Sequence, residues 1–274
     1  MVLALGAGST SGVQAQSNTL EDWLRESGEF TNSDIRSLRT GAPVVRVVGP
    51  EGRDGLFLLG AVRVATTPAQ LIALWNRPSE FFRGRSTLAV GEVHLPPRID
   101  DFRDLRLPES DLQELPFCRP GSCRVKLAEG PMTTLSAASR RPPEDREAAV
   151  TARFRSMLFE YADDFVRRGL SALPPYVDKA RPTSTVEALA PLRAMDTSFF
   201  AQSRVLTRHL RTFPRTLAEG VTDRMAWTLE DVGIRPTIRL LHTALIQPPD
   251  APSVDALIAI QQLYASHYLL ASTT

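Results

Sequence analysis

The chain has 274 residues, of which 43% are hydrophobic and 23% charged, and its formal net charge is +1. These are the values of an ordinary globular protein, large enough to bury a core without metal ions or many disulfides. The balance of charge provides no electrostatic attraction to nucleic acid, so we expect no nucleic-acid partner. No apolar stretch after residue 17 approaches the roughly 20 residues that span a bilayer, and we predict no transmembrane segment.

The first residues indicate where the protein is directed. Val2–Gly8 is a short apolar run, and Val13-Gln14-Ala15 has the small-x-small pattern that signal peptidase cleaves. No Lys or Arg precedes the run, which a start codon placed too far downstream would explain. We predict a signal-peptide remnant over residues 1–15, cleavage after Ala15, and an exported, soluble protein of the periplasm with a single domain over residues 16–274.

The N-terminal half is predicted to mix short helices with short strands. β-branched runs bounded by Pro and Gly are typical of strands, and Gly52–Gly55 favours a hairpin between the first two. Pro68 is well tolerated in the first turn of a helix. In chain order we predict helices at Leu20–Glu26 and Asp34–Arg39, strands at Val44–Val48 and Leu56–Ala65, a helix beginning at Thr67-Pro68, a strand at Thr87–Leu95, a helix at Glu109–Leu115 and a strand at Arg124–Leu127.

Cys118 and Cys123 are the only cysteines, and they flank Arg119-Pro120-Gly121-Ser122. Pro-Gly is the pair expected at the centre of a type II turn, which brings the two sulfur atoms together. An exported protein meets an oxidising environment, so we predict a disulfide between them. The spacing differs from that of thioredoxin-like redox sites, and a redox pair or a metal half-site is the alternative.

The longest predicted helix is Asp145–Arg168, within a helical middle section over about residues 131–213. Pro142-Pro143 precede this helix and Gly169 ends it. Apolar residues at intervals of three and four predict one buried face, formed by Phe154, Met157, Leu158, Tyr161, Phe165 and Val166. Two further helices are predicted at Val186–Met195 and Phe199–Phe213.

The C-terminal part returns to strands. We predict a short helix at Met225–Val232 and strands at Thr237–Ile246 and Leu257–Ala265, on either side of a turn-rich segment. Strands, then helices, then strands favour an α+β domain over alternating βαβ units. We therefore predict an α+β fold in which a curved antiparallel sheet packs against the long helix.

Histidines are the main candidates for chemistry. If the last two strands pair as a hairpin, His242 and His267 would point into the same interior, where a carboxylate such as Glu160 would suit acid–base catalysis or metal binding. No metal-binding motif is present, however, and a lone His in an apolar strand is more often a hydrogen-bonded core residue. We predict His242, His267 and Tyr264 as catalytic candidates, with no bound metal or cofactor.

Three segments resemble an uncharacterised family of exported bacterial proteins: Leu59–Val64, Cys118–Leu127 and Gln262–Tyr268. Its members run further at the C-terminus, so the resemblance implies a terminal segment beyond residue 274. The family has no established activity to transfer, and it adds no site residue to those considered above.

A strand at Leu59–Ala65, followed by Thr66–Ala69 opening a helix with Leu74-Trp75, is similar to the entry of START and Bet v 1-like helix-grip proteins. Those folds wrap a curved antiparallel sheet round a long helix and enclose an apolar cavity. The resemblance implies a hydrophobic or lipid-like ligand in an internal cavity. The residues expected to contact it are Trp75, Tyr161, Phe165, His242 and Tyr268.

Two other functions stay open at this point. One is a periplasmic hydrolase that uses His242 and His267. The other is a scaffold protein of the cell envelope, which would need no catalytic residue. Neither the composition of the chain nor the spacing of its candidate residues decides between these two functions and ligand binding.

Overall fold

A computed structural model describes residues 21–22, 24–25, 30–47, 58–194, 204–231, 233–247 and 255–268, and the predicted leader lies outside them. Over these residues the chain has the α+β fold that the order of its elements predicted. The helices are α1 Asn32–Arg39, α2 Pro68–Trp75, α3 Pro78–Phe81, α4 Glu109–Glu114, α5 Glu129–Ala138, α6 Pro143–Arg168, α7 Thr185–Ala194 and α8 Arg204–Thr212. The strands are β1 Val44–Val47, β2 Leu58–Ala61, β3 Thr87–Val93, β4 Val221–Glu230, β5 Thr237–Ile246 and β6 Leu257–Ala265.

The strands form two antiparallel sheets. β1 pairs with β2, and the other four strands form one sheet in the order β3-β4-β5-β6. β4 and β5 pair without interruption along their whole length. Between β5 and β6, Leu240 pairs with Tyr264 and His242 with Gln261, so a bulge absorbs one extra residue of β6. The bulge places Tyr264 and Gln261 on the same face of the sheet.

The long helix α6 covers one face of this sheet, as predicted. Pro143 stands in its first turn, acidic residues follow, and Gly169 ends it with a φ of 80°. Its buried face contributes Phe154, Leu158, Tyr161, Ala162 and Phe165 to the main core, where they pack with Met225, Trp227, Ile238, Leu240 and Tyr264. No described helix is long and apolar enough to cross a membrane.

Two other helices complete the cover of the sheet. Leu206 and Leu210 of α8 pack against the end of the face that α6 covers, where they contact Ala244 and Ile246. On the opposite face, Trp75 of α2 packs against the sheet. A separate small core joins α1 to β1, and it contains Leu24, Phe30, Ile35, Leu38 and Val44.

The C-terminal strands have the predicted bounds, but the helix predicted at Met225–Val232 is wrong. Its residues lie in β4 up to Glu230, and that strand hydrogen-bonds to β3 on one side and to β5 on the other. Met, Ala, Leu and Glu favour a helix in isolation, but pairing on both edges overrides this preference. The strand predicted at Arg124–Leu127 is also wrong: single backbone hydrogen bonds to Val177 and Ser266 hold that segment.

The predicted disulfide is confirmed, with 4.6 Å between the Cα atoms of Cys118 and Cys123. Gly121 has a φ of 81°, which only glycine adopts without strain and which the Pro-Gly turn requires. The backbone N–H of Gly121 donates to Val177 O, and that of Cys123 to Asp178 O. The loop therefore closes on the chain that follows α6.

The indole ring of Trp227 packs directly against Gly91 of β3. Gly91 pairs with Trp227, whose indole N–H donates to Asp101 O at 2.9 Å. A Cβ atom at Gly91 would lie 2.1 Å from Trp227 Nε1. The indole ring therefore occupies the space that any other residue at position 91 would need.

We expect Gly91→Ala to lower the free energy of unfolding by about 1–3 kcal/mol, because the ring would have to move in a close-packed core. Gly130→Ala is the matched control: a Cβ there would meet no described atom within 4 Å, and Ala favours the α5 helix. Urea denaturation of both variants would measure the effect. Equal stability of the two variants would contradict it.

Candidate functional site

The structure brings together three of the five residues expected to bind a ligand. Tyr161 and Phe165 lie on α6 and face the sheet, and the ring centroid of Phe165 is 5.0 Å from that of His242. Trp75 is buried on the opposite face of the sheet. Tyr268 follows the end of β6 and is 45% exposed. The five residues therefore do not line one common pocket.

The two histidines expected to act together lie apart. His242 Nε2 is 2.7 Å from Asp223 Oδ1 in the middle of the sheet. His267 follows β6, and its Nε2 is 2.9 Å from Asp111 Oδ1. The last pair of β6, Ala265 opposite Arg239, is already three residues from His242 along β5. At about 3.3 Å per residue, the two histidines are separated by several pairs along the strands.

His267 and Tyr264 have their polar atoms engaged in the core. His267 Nδ1 is 3.0 Å from Arg124 O, so both ring nitrogens face protein oxygens. The hydroxyl of Tyr264 donates to Lys126 O at 2.9 Å, and burial raises the pKa of this phenol well above its usual value. Both side chains therefore join the end of the sheet to the segment after the disulfide, and neither offers a free polar atom to a substrate.

Aromatic rings fill the described part of the interface between α6 and the sheet. Tyr264 lies at their centre, with ring centroids 5.6 Å from Tyr161, 6.0 Å from Tyr176 and 6.1 Å from Phe154. This packing lends no support to a lipid-sized hollow at this position. An open groove of about 480 Å³ lies elsewhere, between α5 and α6, with Arg141 and Arg153 in its lining.

A cluster that the sequence did not predict lies where α8 meets the sheet. Asp223 Oδ1 is 2.8 Å from His209 Nε2 and 2.7 Å from His242 Nε2. Both imidazole side chains are fully buried, while the side chain of Asp223 is 12% exposed. These three ligand atoms lie within 4.8 Å of one another. One carboxylate oxygen therefore joins two buried histidines at a point close to solvent.

The pairing of β4 with β5 and the packing of α8 create this convergence. Met225 pairs with His242, and Asp223 lies two residues before Met225, so Asp223 and His242 are diagonal neighbours on one face. On α8, His209 follows Leu206 by three residues and precedes Leu210, both of which pack on the sheet. His209 is therefore directed at the same face of the sheet.

Two phenylalanine rings enclose the histidines. Phe165 and Phe213 have ring centroids 5.0 and 4.8 Å from that of His242, and Phe213 also contacts His209 at 5.6 Å. Gly169 allows this approach, because a Cβ there would lie 2.7 Å from Phe213 O. The apolar rings exclude water from the imidazoles and so strengthen their polar interactions with the carboxylate.

Hydrogen bonds from the two histidines keep the carboxyl group of Asp223 ionised. Burial by itself raises the pKa of this carboxyl, but the hydrogen bonds from His209 and His242 outweigh burial and lower the pKa to about 2, from an ordinary value of 3.8. The group is therefore an ionised carboxylate at neutral pH. As such it accepts both hydrogen bonds, and each histidine donates from Nε2.

The remaining ring nitrogens differ between the two histidines. The backbone N–H of Ala218 donates to His209 Nδ1 at 3.3 Å, which agrees with a proton on Nε2 of that ring. His242 also donates from Nε2, so in the neutral ring its Nδ1 carries the lone pair and accepts. That Nδ1 atom is buried, and it has no hydrogen-bond partner among the described residues.

Two more buried polar atoms on this side of the sheet lack a hydrogen-bond partner in the described part of the chain: Gln261 Oε1 and the hydroxyl of Tyr161. Gln261 is the residue of β6 that pairs with His242. Tyr161 lies one helical turn before Phe165, which contacts His242. An unsatisfied buried polar group costs about 1–3 kcal/mol. Two of these atoms, His242 Nδ1 and Gln261 Oε1, belong to residues that pair directly, which points to a missing partner between them.

His209, Asp223 and Gln261 were not among the predicted site residues. His209 has the spacing of a buried-face residue, with Leu206, Leu210 and Phe213 at intervals of three and four, and this signal was available. Asp223 gave no signal, because no element was predicted at its position and the rest of its strand, from Met225, was predicted as a helix. Its inward position becomes clear only when Val221–Glu230 is recognised as a strand.

Comparison of the chain with protein-family models, with curated proteins and with solved structures found no match. The family resemblances given above therefore stay predictions. The function has to be inferred from the site itself.

The low pKa of Asp223 leads to an expected pH dependence. A carboxyl whose pKa is lowered on folding stabilises the fold above its unfolded value, near 3.8, and this contribution disappears as the pH falls towards 2. We expect Asp223→Asn to lower the free energy of unfolding on the order of 1–2 kcal/mol at pH 6, allowing for solvent screening. Urea titrations from pH 6 to pH 2 should show this difference shrinking to zero, and a difference that stays constant would contradict the assignment.

Tyr161 and Tyr264 offer a matched pair of substitutions with opposite expected effects. Tyr264→Phe removes the donor to Lys126 O and should lower the free energy of unfolding by about 1–3 kcal/mol. Tyr161→Phe removes a hydroxyl that has no described partner, so stability should be unchanged or higher. Thermal and urea denaturation would measure both. Equal destabilisation by the two changes would show that the hydroxyl of Tyr161 is satisfied.

Proposed function

We propose that this protein binds a divalent transition-metal ion of the zinc class through His209, Asp223 and His242. The observation that carries the proposal is the convergence of two imidazole nitrogens and one carboxylate oxygen within 4.8 Å. Two nitrogens and one oxygen are a donor set that zinc accepts, and three protein ligands leave one position for water. The proposal replaces the expectation from sequence that no metal is bound.

The separation of the ligand atoms shows what binding would require. Ligand atoms about 2.0–2.2 Å from a tetrahedral ion are about 3.3–3.5 Å apart, whereas the N···O distances here are 2.7 and 2.8 Å. Those are hydrogen-bond distances, so the described arrangement is the metal-free form. An ion would replace the two bridging protons, and each nitrogen would move about 0.5–0.8 Å further from the carboxylate oxygen.

The energies involved favour the ion where it is available. The ion would replace two charge-assisted hydrogen bonds, each with a net value of about 1.5–3 kcal/mol. It would also disturb the hydrogen bond from Ala218 to His209, because His209 must carry its proton on Nδ1 when Nε2 binds a metal; a neutral hydrogen bond contributes about 1 kcal/mol. Structural sites of zinc-finger peptides, which have four protein ligands, bind zinc with about 10–16 kcal/mol. The costs at this three-ligand site are smaller than that value.

The other functions considered from sequence stay predictions. A lipid-like ligand would need a hollow, and the aromatic rings round Tyr264 give no support for one beneath α6. A metal ion with an open position for water would be compatible with a hydrolase. Its residues would then be His242 with His209 and Asp223, and not His242 with His267 as predicted from the sequence. Export to the periplasm and a scaffold role depend on features outside the described residues.

Zinc titration of the chelator-stripped chain tests the proposal. We expect one zinc ion per chain by isothermal titration calorimetry, and at least a hundredfold loss of affinity in His209→Gln, since one of three ligands is replaced. The matched control is His94→Gln. His94 Nδ1 is also close to an aspartate, 2.6 Å from Asp101 Oδ1, but it is half exposed and no second histidine joins the pair. Its removal should leave zinc affinity unchanged.

A wild-type chain that takes up no stoichiometric zinc would overturn the proposal, and so would an equal loss of affinity in the two variants. If His209→Gln does not fold, cobalt(II) added to the wild-type chain decides instead. Intense visible absorption bands of four-coordinate cobalt would support the site. The weak bands of hexahydrated cobalt would count against it.

A further inference from the structure

Gln261 is a neighbour of the proposed metal ligand His242, and its role depends on which ring nitrogen of His242 carries the proton. Gln261 is the direct partner of His242 across the β5–β6 ladder. Paired residues of antiparallel strands share a face, with Cβ atoms about 4.5–5.5 Å apart. The bulge in β6 makes Gln261, and not Gln262, the residue beside the histidine. Gln261 is therefore buried beside His242, on the same face of the sheet.

In the metal-free arrangement these two neighbours present the same kind of atom. His242 donates from Nε2 to Asp223, so Nδ1 is an acceptor, and the amide oxygen of Gln261 is also an acceptor. Neither atom has a hydrogen-bond partner among the residues described. In this orientation of the amide, the two acceptors cannot hydrogen-bond to one another, whereas a proton on Nδ1 would make His242 a donor to Gln261 Oε1.

A metal ion bound to Nε2 places the proton of the neutral imidazole on Nδ1, and the charge of the ring does not change. Nδ1 thereby becomes a donor. Metal-bound histidines almost always donate this N–H to a protein oxygen, which fixes the tautomer and the orientation of the ring. Gln261 Oε1 is the candidate acceptor, because it is an unpartnered oxygen of the residue that pairs with His242.

On the basis of the proposed function, we infer that Gln261 is the positioning residue of the metal site, accepting a hydrogen bond from His242 Nδ1 once Nε2 binds the ion. One event then satisfies both unpaired atoms. The side chain contributes to metal affinity while adding nothing to the stability of the metal-free fold. This combination separates Gln261 from an ordinary core residue.

Replacement of Gln261 by Leu tests the inference through two readouts of opposite sign. Zinc affinity should fall about 10- to 100-fold, the usual effect of losing such a partner. The melting temperature of the metal-free variant should be unchanged or higher, because an unsatisfied buried acceptor is removed. Gln261→Glu keeps an acceptor beside Nδ1, and it should hold zinc at least as tightly as the wild-type chain.

Gln262→Leu is the matched control. Gln262 is adjacent in sequence but lies on the opposite face, where its Oε1 accepts from Arg239 Nε at 2.9 Å. Its replacement should lower the stability of the metal-free chain and leave zinc affinity unchanged. Nitrogen NMR of the imidazole provides an independent readout: the protonated nitrogen of His242 should change from Nε2 to Nδ1 when zinc is added.

The possible failures can be told apart. If the wild-type chain binds no zinc, both the proposed function and this inference fall. If the wild-type chain binds zinc and Gln261→Leu binds it equally well, only the role of Gln261 is overturned. A metal-free Gln261→Leu chain that is clearly destabilised would show that Gln261 is already hydrogen-bonded without metal, and this also overturns the inference.

Discussion

The register between β4 and β5 is the constraint on which the rest of the site depends. A slip by one residue would turn every side chain of β4 to the other face. Asp223 would leave the histidines, and Arg224 would be buried against them. Arg224 instead contacts Asn76 and Glu92 on the opposite face, where its guanidinium lies 5.3 Å from the ring of Trp75. The turn that joins the strands supports this register, since Asp231 Oδ1 accepts from the N–H of Gly233 at 2.8 Å.

On the other side of β5, the bulge in β6 determines which residue pairs with His242. Without the extra residue, His242 would face Gln262, which in the structure binds Arg239 on the opposite face. With it, Tyr264 continues the aromatic core beneath α6, and Gln261 pairs with His242. Bulges commonly change the direction of a side chain next to a functional site. A single irregularity therefore serves both the packing of the core and the placement of a polar group.

The strength of local signals explains how much of this arrangement the sequence predicts. The α+β class, the long helix, the last two strands and the disulfide each have a local cause: a 3.6-residue period, a β-branched run or a Pro-Gly turn. β4 has no such cause. Met225–Glu230 favours a helix in isolation, and only pairing with β3 and β5 makes it a strand. Because Asp223 lies on that strand, the error in one element concealed the centre of the site. His242 was identified, but joined to the wrong partner.

A buried polar cluster needs a reason other than stability. Replacing a buried ionic group by apolar residues of similar volume is often neutral or stabilising. Each of the four histidines of this chain lies within hydrogen-bond distance of an aspartate: His94 with Asp101, His267 with Asp111, and the remaining two with Asp223. A histidine–aspartate contact therefore identifies no site in this protein by itself.

What distinguishes the cluster at Asp223 is the state of the second ring nitrogen. His267 has both nitrogens against oxygens, His94 is half exposed to water, and His209 accepts from Ala218. His242 is fully buried, and its second nitrogen has no described partner. A fold that only needed a core would place an apolar side chain between Phe165 and Phe213. The proposal of a metal ion at this position depends on the incomplete hydrogen bonding of His242 together with the two other ligand atoms beside it.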